Sequence, residues 1–240
     1  MTKDLKSLNE VSLQAENIDL RRLLAQAGID AVEHEVAERL QRLLLEELHH
    51  RVKNTLATVI AITSQSLRTA ESLDHGRETI ESRLIALGRA HDLLLQSNWA
   101  SAKLTDVVRS AIEPYETQGA QRFVVQGANI EVGSGAVLTF AMALNELCTN
   151  AVKYGALSNA EGHVEITSAL DEGAQRFKLT WAEKGGPVVK EPTRRSFGTR
   201  LIEHTLAGQL HGEARLRFEP AGVICEFDIP MTHLRALHSQ

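Results

Sequence analysis

From Val32 onward, apolar residues recur at three- and four-residue steps through Val36, Leu40, Leu43, Leu44 and Leu48, and the pattern runs on through Val52, Thr55 and Val59. That spacing is one face of an amphipathic helix, here of about 35 residues, or ~50 Å at a rise of 1.5 Å per residue. A stripe this long needs a partner helix. After the polar stretch Thr69 to Gly76, apolar residues resume at Ile80, Leu84, Leu87 and Leu93, which predicts a second helix returning antiparallel to a point near Leu95. Two antiparallel helices enclose no core. A homodimer that forms a four-helix bundle would supply one; the alternative is a monomer whose hairpin packs on the rest of its own chain. Upstream, Leu13, Ile18, Leu20, Leu23 and Leu24 make a partial stripe in an otherwise polar segment, read as a short helix ending near Gly28.

A polar run interrupts the long stripe: Glu47-Leu48-His49-His50-Arg51-Val52-Lys53-Asn54. At 100° per residue, Leu48, Val52, Thr55 and Val59 share a narrow stripe with Leu56 at its edge. His50 then points roughly 200° from Leu48, and His49 lies between the two faces. A solvent-exposed imidazole is mostly neutral near pH 7 and is available as a nucleophile without a strong base. Asn54 falls one turn after His50 on the same exposed face, and its carboxamide can both donate and accept hydrogen bonds.

A second constellation lies about one hundred residues downstream, in Ala143 to Gly155. Glu146 and Asn150 are four apart, one turn from each other on one helix face, while Leu144, Leu147, Cys148, Ala151 and Val152 cover the other side. Paired hard oxygen donors suit Mg²⁺, which keeps several waters and shares its shell with phosphates. Lys153 follows within reach of an anionic ligand. Further on, the strand-like Phe177 to Thr180 leads into Trp181-Ala182-Glu183-Lys184-Gly185-Gly186-Pro187, where a glycine pair permits close backbone approach. Ser196-Phe197-Gly198-Thr199-Arg200-Leu201-Ile202 then opens a helix-like run, and a glycine-bearing turn at a helix start offers N–H groups to phosphate.

In this order the motifs resemble a sensor histidine kinase of the HWE group, bordering its HisKA-type relatives, over roughly residues 40 to 230. Glu47 to Asn54 resembles the phosphoacceptor box, with His50 at the phosphorylated position. Asn145 to Gly155 resembles the N box, Trp181 and Glu183 the Trp-x-Glu of the family name, and Ser196 to Ile202 the glycine box closing the ATP lid. The resemblance implies ATP and Mg²⁺ as cofactors, with Asn150 as the metal ligand and Glu146 ordering water or assisting proton removal. It implies that Lys153 pairs with phosphate, that Glu183 accepts from the adenine amino group, and that Gly185, Gly186 and Gly198 bring the lid backbone close. The partner it implies is a response-regulator receiver domain with a phosphorylatable Asp. The resemblance also implies a reverse reaction at Asn54, since kinases with Thr, Asn or Gln at this offset often dephosphorylate their partners. Two positions depart from the pattern: Asn145 stands in place of the name-giving His of the N box, and Ser196 in place of a first glycine.

The implied fold is a two-domain α/β protein. A dimerising helical hairpin (31–98), preceded by a helical segment (1–30), is followed by an ATP-binding two-layer α/β sandwich of GHKL type (103–232). Its expected elements are a helix near Leu104 to Glu116, a strand at Arg122 to Gln126, the Asn150 helix, and strands at 163–170, 176–181, 214–218 and 223–229. The activity implied is ATP-dependent autophosphorylation of a protein histidine. The other reading is a non-catalytic phosphotransfer adaptor with a degenerate nucleotide site. At 240 residues, two modest domains fit, and a 4% aromatic content suits Leu- and Ala-rich helices. A net charge of −5 leaves no basic footprint for nucleic acid. Cys148 and Cys225 both sit in apolar runs, as small core residues of a reducing compartment do. No apolar run near 18 residues is read, so a soluble, cytoplasmic chain with no membrane partner is expected. The first 30 residues are too polar for a sensory core, so sensor input is expected in trans or from a part missing here.

Overall fold

One strand carries its polar and apolar residues in strict alternation: in Arg176–Lys184, Phe177, Leu179, Trp181 and Glu183 are buried and the residues between them are less so. This strand, β5, lies at the centre of a five-stranded sheet in a computed structural model that describes residues 2–97, 99–116, 121–189 and 210–234, except the side chains of 2–15 and 29–32. The other strands are β2 (Phe123–Gly127), β4 (His163–Asp171), β6 (Glu213–Glu219) and β7 (Gly222–Pro230), in the order β2-β4-β5-β7-β6. β2 and β4 are parallel, and every other pairing is antiparallel. The parallel pair needs a crossover, and the helix within it is α4 (Ser134–Lys153).

α4 is apolar nearly all round, which marks a buried helix. Thirteen of its side chains are buried. Phe140 is fully buried and meets Phe177 of β5 and Phe227 of β7 edge-on, with ring centroids 6.4 and 6.1 Å apart. α3 (Leu104–Ile112) repeats the helical period with Leu104, Val107, Val108, Ala111 and Ile112 buried, and it packs on α4. A small antiparallel pair, β1 (Ser101–Lys103) with β3 (Glu131–Gly133), ties the entries of α3 and α4 together. These strands were not anticipated, because three residues are too few to show a period of two. The expected strands and the expected α4 are present with ends shifted by a few residues.

The helical region differs in three respects. α1 runs without a break over Thr2–Thr69, so Gly28 ends no helix. A mid-helix glycine costs about 1 kcal/mol relative to alanine, which the surrounding helix formers absorb. The turn is shorter than expected: Ser72 caps α2 (Leu73–Gln96), its hydroxyl accepting from the His75 N–H at 3.1 Å. Finally, the buried face of α2 is rotated from the one expected. Gly76, Arg83, Ala86, Leu87, Ala90 and Leu94 are buried, whereas Ile80, Leu84 and Leu93 are only half-buried. The small Ala86 and Ala90 let α2 lie close on α4.

By compactness the chain divides at Met1–Val59 and Ile60–Gln240, a different division from the functional one expected near residues 98–103. The first unit is the bulk of α1. Its stripe of Val36, Leu40, Leu43, Leu44, Leu48, Val52 and Leu56 is solvent-exposed. The second holds the end of α1, where Ile62 and Ser66 are buried, together with α2 and the α/β layers. α4 has the length and hydropathy of a membrane span, although no such run was expected; 72% of that window is buried in the fold, as in a core helix.

Candidate functional site

The site residues of the second unit gather where α4 ends and β5 emerges. At the end of α4 the Tyr154 N–H makes the last ordinary helical bond, to the Asn150 carbonyl at 2.8 Å, and the Gly155 N–H is shared between the Asn150 and Ala151 carbonyls, at 3.1 Å each. Gly155 then passes beneath the Glu183 carboxylate with no room for a side chain: a Cβ there would overlap Glu183 Oε2. The next N–H, of Ala156, donates to Glu183 Oε2 at 2.8 Å, and the Trp181 indole N–H donates to Oε1 at 3.3 Å. Glu183 is therefore a carboxylate set in the apolar face of β5, 4% exposed, with both oxygens accepting from the protein.

The loop after α4 is held from below by Arg122, a residue that strand periodicity gave no reason to single out. Its guanidinium donates to the carbonyls of Ala156, Leu157, Asn159 and Gly162 over 2.5–3.4 Å. Gly185 adopts a φ of +70°, which favours glycine, and its carbonyl accepts from Asn159 Nδ2 at 3.0 Å. A Cβ on Gly186 would stand 2.7 Å from Ala156 Cα. The glycine pair thus lets β5 close onto the loop that carries Ala156.

On α4 the Asn150 side chain is half-buried and makes no hydrogen bond to a described residue, and Lys153 is exposed in the last turn. Val152, expected on the buried side, is exposed there as well. Glu146 shares the face of Asn150 but is not open to solvent. Arg83 of α2 grips it with Nε on Oε1 at 2.6 Å and Nη2 on Oε2 at 2.9 Å. Asn145, in place of the expected His, bridges the layers: it donates to Ser82 at 3.2 Å and accepts from the Tyr115 hydroxyl at 3.2 Å. Arg83 was legible in principle, since it falls on the helical line of Leu87, Ala90 and Leu94.

A carboxamide oxygen with no partner among the described residues, on the same helix end as an exposed Lys, fits Mg²⁺ carried in with a phosphate ligand, because this ion takes few protein donors and keeps water and phosphate oxygens. Among the described residues no cluster of three His, Cys, Asp or Glu forms a separate metal site. Cys148 and Cys225 are buried thiols outside any disulfide, and burial pushes the Cys148 thiol well above its ordinary range. In the first unit, His49, His50 and Asn54 are exposed on α1, and Arg51 pairs with Glu47 one turn back at 2.7 Å. Ser196 and Gly198 lie outside the described residues.

A helical N-terminal region followed by this mixed α/β layer resembles solved histidine kinase structures. The histidine kinase domain of the Erythrobacter litoralis EL346 blue-light activated histidine kinase shares the fold, with a TM-score of 0.55 at 20% identity over 74% of this chain and 84% of that one. The longer EL346 structure gives 0.59 at 23% identity, over 78% of this chain and 59% of that one. Residues 47–129 match the model of the HWE histidine kinase family, and the chain carries a domain of that family. It is 37% identical over 206 residues to the blue-light-activated histidine kinase of Brucella anthropi, covering 85% of this chain and 42% of that protein. The Brucella ovis protein of the same name gives 37% over 205 residues. The chain thus spans about two-fifths of the length of these relatives.

Burial raises the Glu183 carboxyl above its ordinary value, against the opposing hydrogen bonds from Ala156 and Trp181. The folded state then holds this proton more tightly than the unfolded one. Stability falls as pH rises from the unfolded value of 4.5 through the raised folded value, and is flat on either side. Glu183→Gln is expected to remove that decline. Urea midpoints taken from about pH 4 to about pH 8 test it; parallel profiles for the two proteins would assign the slope to another group.

Proposed function

We propose that this chain is the ATP-dependent protein-histidine kinase part of a two-component system, which phosphorylates His50 and passes the phosphoryl group to an Asp of a receiver domain. The observation that carries the reading is the exposed His50 imidazole inside the segment that matches the HWE family. An imidazole nitrogen attacks the γ-phosphorus of ATP in line. The N–P bond forms as the bond to the bridging oxygen breaks, and ADP leaves with that electron pair. Such transfers depend mostly on positioning and electrostatics.

The open Asn150 carboxamide supports a role as metal ligand, and the exposed Lys153 a role in pairing with phosphate. Mg²⁺ held by Asn150 would neutralise part of the charge of the phosphates. Glu146 would order water beside that group. Glu183, already satisfied by Ala156 and Trp181, keeps unused lone pairs that can accept from an adenine amino group. Gly185, Gly186 and Gly198 would bring backbone close to the nucleotide. Asn54, one turn from His50, would hold a water in line with the acyl phosphate of a docked receiver.

A second reading, a non-catalytic phosphotransfer adaptor, draws support from the Arg83 grip on Glu146. One assay separates the two. Incubation with γ-labelled ATP and Mg²⁺ is expected to give an acid-labile, alkali-stable label that His50→Ala and Asn150→Ala both abolish and His49→Ala retains. An adaptor would instead take label only from a phosphorylated receiver. In the same system Asn54→Ala is expected to keep autophosphorylation and to lengthen the receiver's phosphate lifetime severalfold; an unchanged lifetime would leave Asn54 a surface residue.

The exposed stripe from Val36 to Leu56 supports a homodimer through a four-helix bundle. So does an apolar groove of about 610 Å³ at Leu67, Leu73, Ile80, Leu84 and Ile85, on the side of α2 turned away from Arg83. Light scattering at micromolar concentration is expected to give twice the chain mass of 26.4 kDa. A value at 26.4 kDa would reject the dimer.

A further inference from the structure

Three buried polar groups meet where α2 crosses α4. Arg83 is 3% exposed, Ser66 1% and Glu146 8%. Arg83 closes a bidentate fork on Glu146 and turns its third group, Nη1, onto Ser66 Oγ at 2.6 Å. Ser66 is itself fixed, its hydroxyl donating to the Ile62 carbonyl at 2.7 Å. The neighbouring residues repeat the crossing, since Asn145 donates to Ser82. Two consecutive residues of α2 thus hold two consecutive residues of α4, and the stronger rung is the charged one.

This fork has a consequence for the Asn150 face. Glu146 is the acid one turn before Asn150, yet its charge is neutralised by a buried guanidinium and both its oxygens are engaged. An arginine and a divalent cation would compete for the same carboxylate, and the two positive charges would repel across it. We infer that Arg83 is a positioning residue that withholds Glu146 from the nucleotide site, so that Mg–ATP binding and the docking of α2 on α4 oppose each other. The inference rests on the kinase reading, in which Glu146 acts beside the phosphates. Because coupling between two equilibria is reciprocal, loading the site weakens the hold on α2, and strengthening that hold empties the site. Ser66 sets how firmly the fork is held, and it lies on α1, the helix that also bears His50.

The test is titration calorimetry of the full chain with ATP, in Mg²⁺ and again in EDTA, on wild type, Arg83→Gln and Ser66→Ala. Ser66→Ala loosens the fork without leaving Glu146 unpaired in the interior, so it serves if Arg83→Gln does not fold. Arg83→Gln is expected to bind Mg–ATP about fivefold more tightly, Ser66→Ala to shift in the same direction, and neither to change ATP binding in EDTA. A purely structural role for Arg83 would lower thermal stability and leave the Mg²⁺-dependent part of binding untouched. Mg–ATP affinity that is unchanged or weaker in folded Ser66→Ala overturns the inference while leaving the kinase reading in place. Wild type that binds no Mg–ATP overturns both.

Discussion

The burial of α4 between the sheet and two helices governs the α/β layer. A helix that is apolar almost all round must be covered on every side, and this one meets β5 and β7 through Phe140 and packs against α2 and α3. Polar side chains on it are then tolerated only where another polar group meets them or where the helix runs out into solvent. Thr139 reaches its own backbone at Gly135. Asn145 and Glu146 meet α2. Asn150 and Lys153 fall in the last turns, where cover ends. The candidate site lies at this end of α4 because that is where polar chemistry is affordable.

Two carboxylates show two ways of keeping an acid inside. Glu146 is matched by a full opposite charge. Such a pair contributes little net stability, because desolvation offsets the attraction, but breaking it by removing one partner costs about 3–5 kcal/mol. Glu183 meets no cation among the described residues. It sits in the apolar row of β5, satisfied by one main-chain N–H and one indole N–H, and burial raises its pKa. The first arrangement ties two helices together and makes Glu146 responsive to how α2 is seated. The second ties the end of β5 to the loop after α4, a loop whose carbonyls Arg122 also holds.

Much of this was legible in the residues. Period-3.6 and period-2 patterning located α3, α4 and the four longer strands of the second half, because burial on one face leaves that imprint directly in the sequence. The shared face of Glu146 and Asn150 followed from helix geometry alone, whereas around His50 the apolar stripe of Leu48, Val52 and Leu56 is as exposed as the polar side. Local signals proved weaker where helix propensity opposed them: Gly28 looked like a stop, and α1 passes straight through it. The two three-residue strands left no periodic trace.

Residue identity and spacing determined which side chains could do chemistry: an imidazole on the polar side of a helix, a carboxamide and a carboxylate one turn apart, a carboxylate after a strand. Tertiary structure alone decided what each of them meets. The face of α2 that is buried depends on which neighbour accepts it, and Ala86 and Ala90 fit α4 more closely than the larger Ile80 and Leu84. That rotation brings Arg83 onto Glu146 across 63 positions of sequence, a pairing no local pattern encodes. Glu183 likewise finds the Ala156 N–H across 27 positions, because β5 and the end of α4 converge only once the sheet is assembled.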